Sequence, residues 1–120
     1  MKKLLLFLIV LSIATHVSAK LKEKDLIGKW KYSVVTDQGD MKGSFVFTKT
    51  DGNLSGKVIT DEGYELPFTK IEIKDKNGLY LELQTDNDTI KVNVTVEDNK
   101  FKGTGSSYQG DAPITGEKVE

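Results

Sequence analysis

The sequence predicts an all-β protein, an eight-stranded antiparallel up-and-down barrel built from residues 20–120. Three observations predict it. Apolar residues recur at every second position in segment after segment, the period of a half-buried strand. Turns rich in Gly, Asn and Asp separate those segments, each about two to five residues long, the range of hairpins. No ten-residue stretch of the same region carries apolar residues at helical spacing, so no helix is expected there. An eight-strand meander leaves two raw edges, and closing it into a barrel removes them. A two-sheet sandwich is the alternative for a chain of this length. Eight strands enclose room for side chains or for one small ligand.

The chain opens with Met1-Lys2-Lys3, an apolar run from Leu4 to Ala14, and Val17-Ser18-Ala19. Lysines, an apolar block and a small-residue ending form a secretory signal, with cleavage expected after Ala19. The block is shorter than the roughly 20 residues that span a bilayer. Residues 20–120 are then a single domain, secreted or periplasmic, with no membrane attachment. Lys20 to Asp25 reads as a loose polar lead-in.

From Gly28 to Thr36, Trp30, Tyr32 and Val34 face one way and Lys29, Lys31 and Ser33 the other. Asp37 to Asp40 turns the chain. Gly43 to Lys49 alternates about Phe45 and Phe47, and Asp51-Gly52 is a strong hairpin signal. Leu54, Gly56 and Val58 line one face of the returning strand, which ends at the turn Asp61-Glu62-Gly63. In the next segment Tyr64, Leu66 and Phe68 share one parity, whereas Ile71 and Ile73 share the other. Both sets reach the core only if one residue is extra, which predicts a bulge near Thr69-Lys70. Pro67, lacking an N–H, suits such an edge or bulged place. Leu79, Leu81 and Leu83 alternate after Asn77-Gly78. Ile90, Val92, Val94 and Val96 form the cleanest strand, after Asp86-Asn87-Asp88. Phe101 to Ser107 follows Asp98-Asn99, with Gly103 and Gly105 on the Phe101 face, and Ala112 to Val119 is last.

Gly28-Lys29-Trp30 at the start of such a meander resembles the Gly-x-Trp opening of the calycins, the lipocalins and avidins. The chain is most similar to small bacterial lipocalin-like domains of unassigned function. The shared motifs are Trp-x-Tyr, Gln38 to Gly43, Gly52 to Gly56, and Thr115 to Lys118. The resemblance covers nearly all of residues 26–119 and rests on turn and closure motifs, so it implies a lipocalin/avidin-like barrel and no particular ligand. Lipocalins usually pack an Arg over that Trp, and this chain has no Arg. Avidins hold biotin between several tryptophans, and here there is only Trp30, so biotin is not implied.

Composition excludes more than it assigns. Beyond Ala19 there is neither His nor Cys, which removes Ser-His-Asp and Cys-His catalysis and His/Cys zinc sites. No cofactor and no metal ion is expected. Residues 20–120 hold 15 lysines and 18 acids, a net charge of about −3 with the signs interspersed, so nucleic acid is not an expected partner. Asp61, Glu62 and Glu65 cluster at one turn and Asp86 and Asp88 at another; carboxyls on hairpin turns face water rather than each other across a sugar. The expected function is therefore a non-enzymatic binding module. It would take a small apolar ligand in the barrel or a protein partner at its loops. An inhibitor or interaction module without a ligand, resting on exposed loop residues such as Tyr64 and Tyr108, is the alternative.

Trp30, Tyr32, Phe45, Phe47 and Phe68 are the candidate lining of a ligand site, although aromatics on the inner face of a small barrel more often form its core. Trp30 and Lys118 are the candidate barrel closure. If the first and last strands pair antiparallel, Lys118 comes to lie near Trp30 and covers the indole in place of the usual Arg.

Overall fold

The structure, a computed structural model, describes residues 21–120, so the segment read above as a secretory signal lies outside the described residues. Eight strands close into one antiparallel barrel in sequence order. They are β1 (Gly28–Thr36), β2 (Gly39–Thr50), β3 (Asn53–Thr60), β4 (Glu65–Lys74), β5 (Gly78–Gln84), β6 (Thr89–Glu97), β7 (Lys100–Ser107) and β8 (Gly110–Lys118). The expected closed meander is the observed one. β1 and β8 pair from Trp30 opposite Lys118 to Val34 opposite Ile114, which removes both edges.

Because every connection is a hairpin, alternate turns fall at opposite ends. The turns after β2, β4 and β6 share one end with the two chain termini. Asp51 and Gly52, and likewise Asp98 and Asn99, all have positive φ, the backbone of tight primed hairpin turns. The turns after β1, β3, β5 and β7 ring the other end, the mouth.

The lead-in is not loose. Glu23–Leu26 forms one helical turn, α1, against the expectation of no helix. The Lys22 N–H donates to Asp25 Oδ2 at 2.9 Å, and Lys22 O accepts from the Asp25 N–H at 2.9 Å. The side-chain half of that exchange is the reach-back of an acidic residue to the start of a helix. A single turn has no apolar periodicity to read, and tertiary contact holds it. Leu26 is 1% exposed and plugs the end of the barrel, while Glu23 pairs with Lys49 of β2 at 3.1 Å.

β4 contains the expected bulge. Phe68 opposes Leu83 and Lys70 opposes Glu82, leaving Thr69 without a partner. The Thr69 hydroxyl donates to Glu82 O at 3.2 Å. The inserted residue turns Leu66, Phe68, Ile71 and Ile73 all toward the core cluster. On its other side β4 pairs with β3 over only three rungs, from Ile59 opposite Glu65 to Lys57 opposite Pro67. Pro67 has no N–H, and the bulge follows within two residues, so the ladder ends there. Below it the strands run unpaired: Leu54, Phe68, Ile71 and Ile73 sit half-buried along this seam. Amide hydrogen exchange should read it directly. Amides of Asn53–Gly56 and Phe68–Lys74 that point into the seam are expected to exchange well before those of β5 and β6, whose ladder runs unbroken from Gly78 to Gln84. Equal protection on the two sides would contradict an open seam.

The open mouth as candidate functional site

The termini end of the barrel is sealed. Trp30 is 1% exposed, and its indole N–H donates to Leu26 O at 2.9 Å, which satisfies the one polar atom of a buried ring. Lys118 Nζ stands 5.9 Å from the indole centroid and donates to Asp25 O at 3.2 Å. The ammonium thus joins β8, the indole and α1 at one point.

Above this plug the aromatic side chains form one connected layer. Phe45 lies 5.5 Å from Phe101 with the planes 5° apart, meets Phe68 edge-on at 5.3 Å, and touches Tyr32 at 4.8 Å. Phe47 stacks on Phe68 at 5.5 Å, and Phe101 reaches Trp30 at 5.7 Å. Of the five candidate ligand-site residues, Trp30, Phe45 and Phe47 are buried by other side chains, whereas Tyr32 and Phe68 are half-buried. Phe101, at the centre of the layer, was not among the candidates. Its parity with Gly103 and Gly105 was the available signal.

The glycines divide by what faces them. A Cβ on Gly43 would stand 2.5 Å from the Tyr32 hydroxyl oxygen, and one on Gly56 2.9 Å from the Phe47 ring. A Cβ on Gly103 would run into the carbonyl of Asn93, and one on Gly116 into the Phe101 ring. These four glycines let backbone or rings close in. Gly105 differs: the nearest atom to its Cβ position is Ala112 O, 4.0 Å away. Around that open space, toward the mouth, the half-buried Val34, Leu66, Ile90 and Ala112 share the inward parity of their buried neighbours Val58, Val92 and Ile114. The interior is therefore packed over the plug and through the aromatic layer, and leaves open space beside Gly105, a small cup toward the mouth. Two clefts, of about 400 and 350 Å³, lie on the wall around β7 and β8 and are lined mostly by outward polar side chains such as Lys31, Lys42, Lys100 and Glu117.

The rim has its own character. Four of the five exposed large apolar residues, Val35, Met41, Tyr64 and Tyr108, sit at this end. The rim segments 35–41, 60–66, 84–90 and 106–112 carry Asp37, Asp40, Asp61, Glu62, Glu65, Asp86, Asp88 and Asp111, and no lysine. Of these eight, Glu65 alone is in an ion pair among the described residues, with Lys57 at 2.6 Å. Asp88 is occupied structurally: its two oxygens accept from the Thr89 and Tyr108 N–H groups at 2.7 Å each, which ties two rim turns together. Burial, and after it the Asp61 carboxylate, hold the Tyr32 hydroxyl above its ordinary pKa, which keeps it protonated and neutral. On the outer wall, by contrast, Tyr80 donates to Glu82 at 2.5 Å under Lys70 and Lys74, a cluster whose charges offset one another.

No family model matches the chain, and no curated protein matches its sequence. Solved structures do match its shape. A redesigned β-barrel, b11L5F_LGL, superposes with a TM-score of 0.61 at 14% identity, over 82% of this chain and 94% of that one. The redesigned barrel mFAP1, solved bound to DFHBI, gives 0.59 at 13% identity, over 81% and 97%. Fatty-acid-binding protein 1 of Echinococcus granulosus gives 0.54 at 15% identity, over 81% and 99%. At such identities the likeness is one of fold. The chain is a closed eight-strand antiparallel β-barrel, the shape it shares with these structures.

Proposed function

We propose that this protein is an exported, non-enzymatic binding barrel that takes a small apolar ligand into its mouth. The observation that carries the reading is the unfilled space at Gly105 within a ring of half-buried apolar side chains. A pocket of this kind needs apolar walls and a few polar groups at its lip. Tyr32 and Phe68 would meet the ligand from the candidate set, with Phe45 and Phe101 as the floor beneath it. Trp30 and Phe47 serve stability from deeper in the barrel. Two structural neighbours, one a fatty-acid-binding protein and one solved with DFHBI, support the reading at the level of shape. In this reading the chain is a small lipocalin-like domain, cut after Ala19 and released to the periplasm or the medium.

The test fills the cup. Gly105→Leu starts a side chain at a Cβ position whose nearest atom, Ala112 O, is 4.0 Å away. It is expected to keep the fold, because replacing a glycine whose backbone any residue can adopt stabilises by about 0.4–1 kcal/mol through the unfolded chain. Titration with N-phenyl-1-naphthylamine, a neutral apolar fluorophore, should saturate on the native protein. It should weaken at least about tenfold in the variant, a loss of about 1.4 kcal/mol. Equal affinity in the two proteins would move the ligand out of the mouth. The exposure of Tyr64 and Tyr108, 68% and 75%, favours a second reading, a protein partner seated on the rim. That partner would be lost on changing both tyrosines to Ser, with fluorophore binding unchanged.

A further inference from the structure

We propose that Asn77-Gly78, in the turn after β4, is a site of spontaneous deamidation, and that the backbone N–H of Leu21 is the latch that keeps it unreacted. The proposal stands independently of the ligand reading. The reaction needs only the chain and water. The Gly78 nitrogen attacks Asn77 Cγ; the N–Cγ bond forms, the Cγ–Nδ2 bond breaks, and the proton leaves with Nδ2 as ammonia. Water then opens the succinimide ring at either carbonyl, giving aspartate or isoaspartate. A following glycine suits the attack, because no side chain shields its nitrogen. Asn77-Gly78 is the only Asn-Gly pair in the sequence. The fold ties both reacting groups to other partners. Asn77 stands at φ 62°, and the Gly78 N–H donates to Asp75 O at 3.3 Å. Asn77 O accepts from the Val96 N–H of β6 at 2.9 Å. Asn77 Oδ1 accepts from the Leu21 N–H at 2.9 Å, a contact between the lead-in and the far side of the chain. Leu21 itself packs against the core cluster, on the segment that carries the Leu26 plug. The side-chain amide turns toward Gly78 only when the Leu21 bond opens. That opening is local: Leu21, α1 and this turn can lift from the sealed end while the β5–β6 ladder stays closed. Conversion of Asn77 thus reports how often the sealed end opens. An aspartate product keeps an oxygen for Leu21. An isoaspartate lengthens the main chain at the residue whose carbonyl holds Val96, so the lead-in loses its anchor.

The experiment follows Asn77 in the purified protein, held in mildly alkaline buffer, by peptide mass spectrometry that resolves isoaspartate from aspartate. Asp51-Gly52, exposed on the turn after β2, isomerises by the same ring chemistry and is the reference within each sample. In denaturant Asn77 is expected to convert at least about tenfold faster than in the folded protein, because the folded chain reacts only while the latch is open. Leu21→Pro deletes the N–H. It should raise the folded-state rate at Asn77, relative to Asp51, by roughly three- to tenfold, the worth of one such hydrogen bond. Leu21→Ala keeps the N–H and should raise it less. Gly78→Ala should silence the site, and its added Cβ meets nothing nearer than 3.3 Å. A urea series needs no variant. In low urea the native rate at Asn77 should rise with a slope well below that of global unfolding, since opening exposes only the sealed end. A native rate equal to the denatured one would mean that nothing protects the site. An unchanged ratio of the two sites in Leu21→Pro would assign the protection to the hairpin alone. A urea slope equal to the global one would mean that Asn77 reacts only when the whole barrel unfolds. Each of these three results would overturn the proposal.

Discussion

Trp30→Ala is expected to cost about 3–5 kcal/mol and to lower the unfolding midpoint by roughly 12–40 °C. The indole is 1% exposed, so its whole body is lost from the core and leaves a cavity. Three neighbours lose their partner at once. Phe101 loses the ring 5.7 Å away, Leu26 O loses the buried N–H, and Lys118 loses the surface beneath its ammonium. The chain has no cysteine and so no disulfide to compensate. A domain of this size has a total stability of about 5–15 kcal/mol, so the loss is about a fifth of it or more. Thermal unfolding followed by far-ultraviolet circular dichroism is the measurement, since the variant has no tryptophan to report by fluorescence. A midpoint within about 5 °C of the native value, less than about 1 kcal/mol for a chain of this size, would mean that α1 and Lys118 seal the barrel without the indole.

Gly116→Ala is expected to cost about 3 kcal/mol, the upper part of the usual range for overpacking. Gly116 lies between Phe101 on β7 and Tyr32 on β1. A Cβ there would coincide with the edge of the Phe101 ring and stand 2.8 Å from Lys31 O. The ring cannot swing aside freely, because its other face stacks on Phe45. Against this, the reduced freedom of the unfolded chain returns only about 0.4–1 kcal/mol. The same exchange at Gly105 meets nothing, so the two variants, chemically alike, should move stability in opposite directions. Near-ultraviolet circular dichroism should show the loss of the aromatic stack in Gly116→Ala alone. Matched midpoints for Gly116→Ala and Gly105→Ala would refute this division of the glycines. The closure motif Thr115 to Lys118 thereby acquires a physical meaning: its glycine admits Phe101, and its lysine lies over Trp30.

Much of this was legible in the residues because it is local. Period-two alternation is a property of neighbours on one strand, so all eight strands could be read. Turn residues state their own backbone, as Asp51-Gly52 and Asp98-Asn99 do with positive φ. Even the bulge at Thr69 followed from parity alone, since Phe68 and Ile71 cannot otherwise share a face. The chemistry that is missing was legible too, because a residue type that does not occur cannot act.

What depends on distance was not legible. α1 is a single turn with one apolar residue, and only the barrel end that buries Leu26 makes it a helix. Parity tells which way a side chain points and not how deep along the barrel it lies. Hence Trp30 and Tyr32, two residues apart on one face, became a sealed core residue and a half-buried one. Gly103 and Gly105 share a strand and a face, yet one meets a backbone carbonyl and the other open space, because strand coiling decides the approach. The rim charge is the clearest case. Eight carboxylates spread from Asp37 to Asp111 look interspersed along the chain. Antiparallel order sends every second turn to the same end, and only the closed barrel gathers them around one opening.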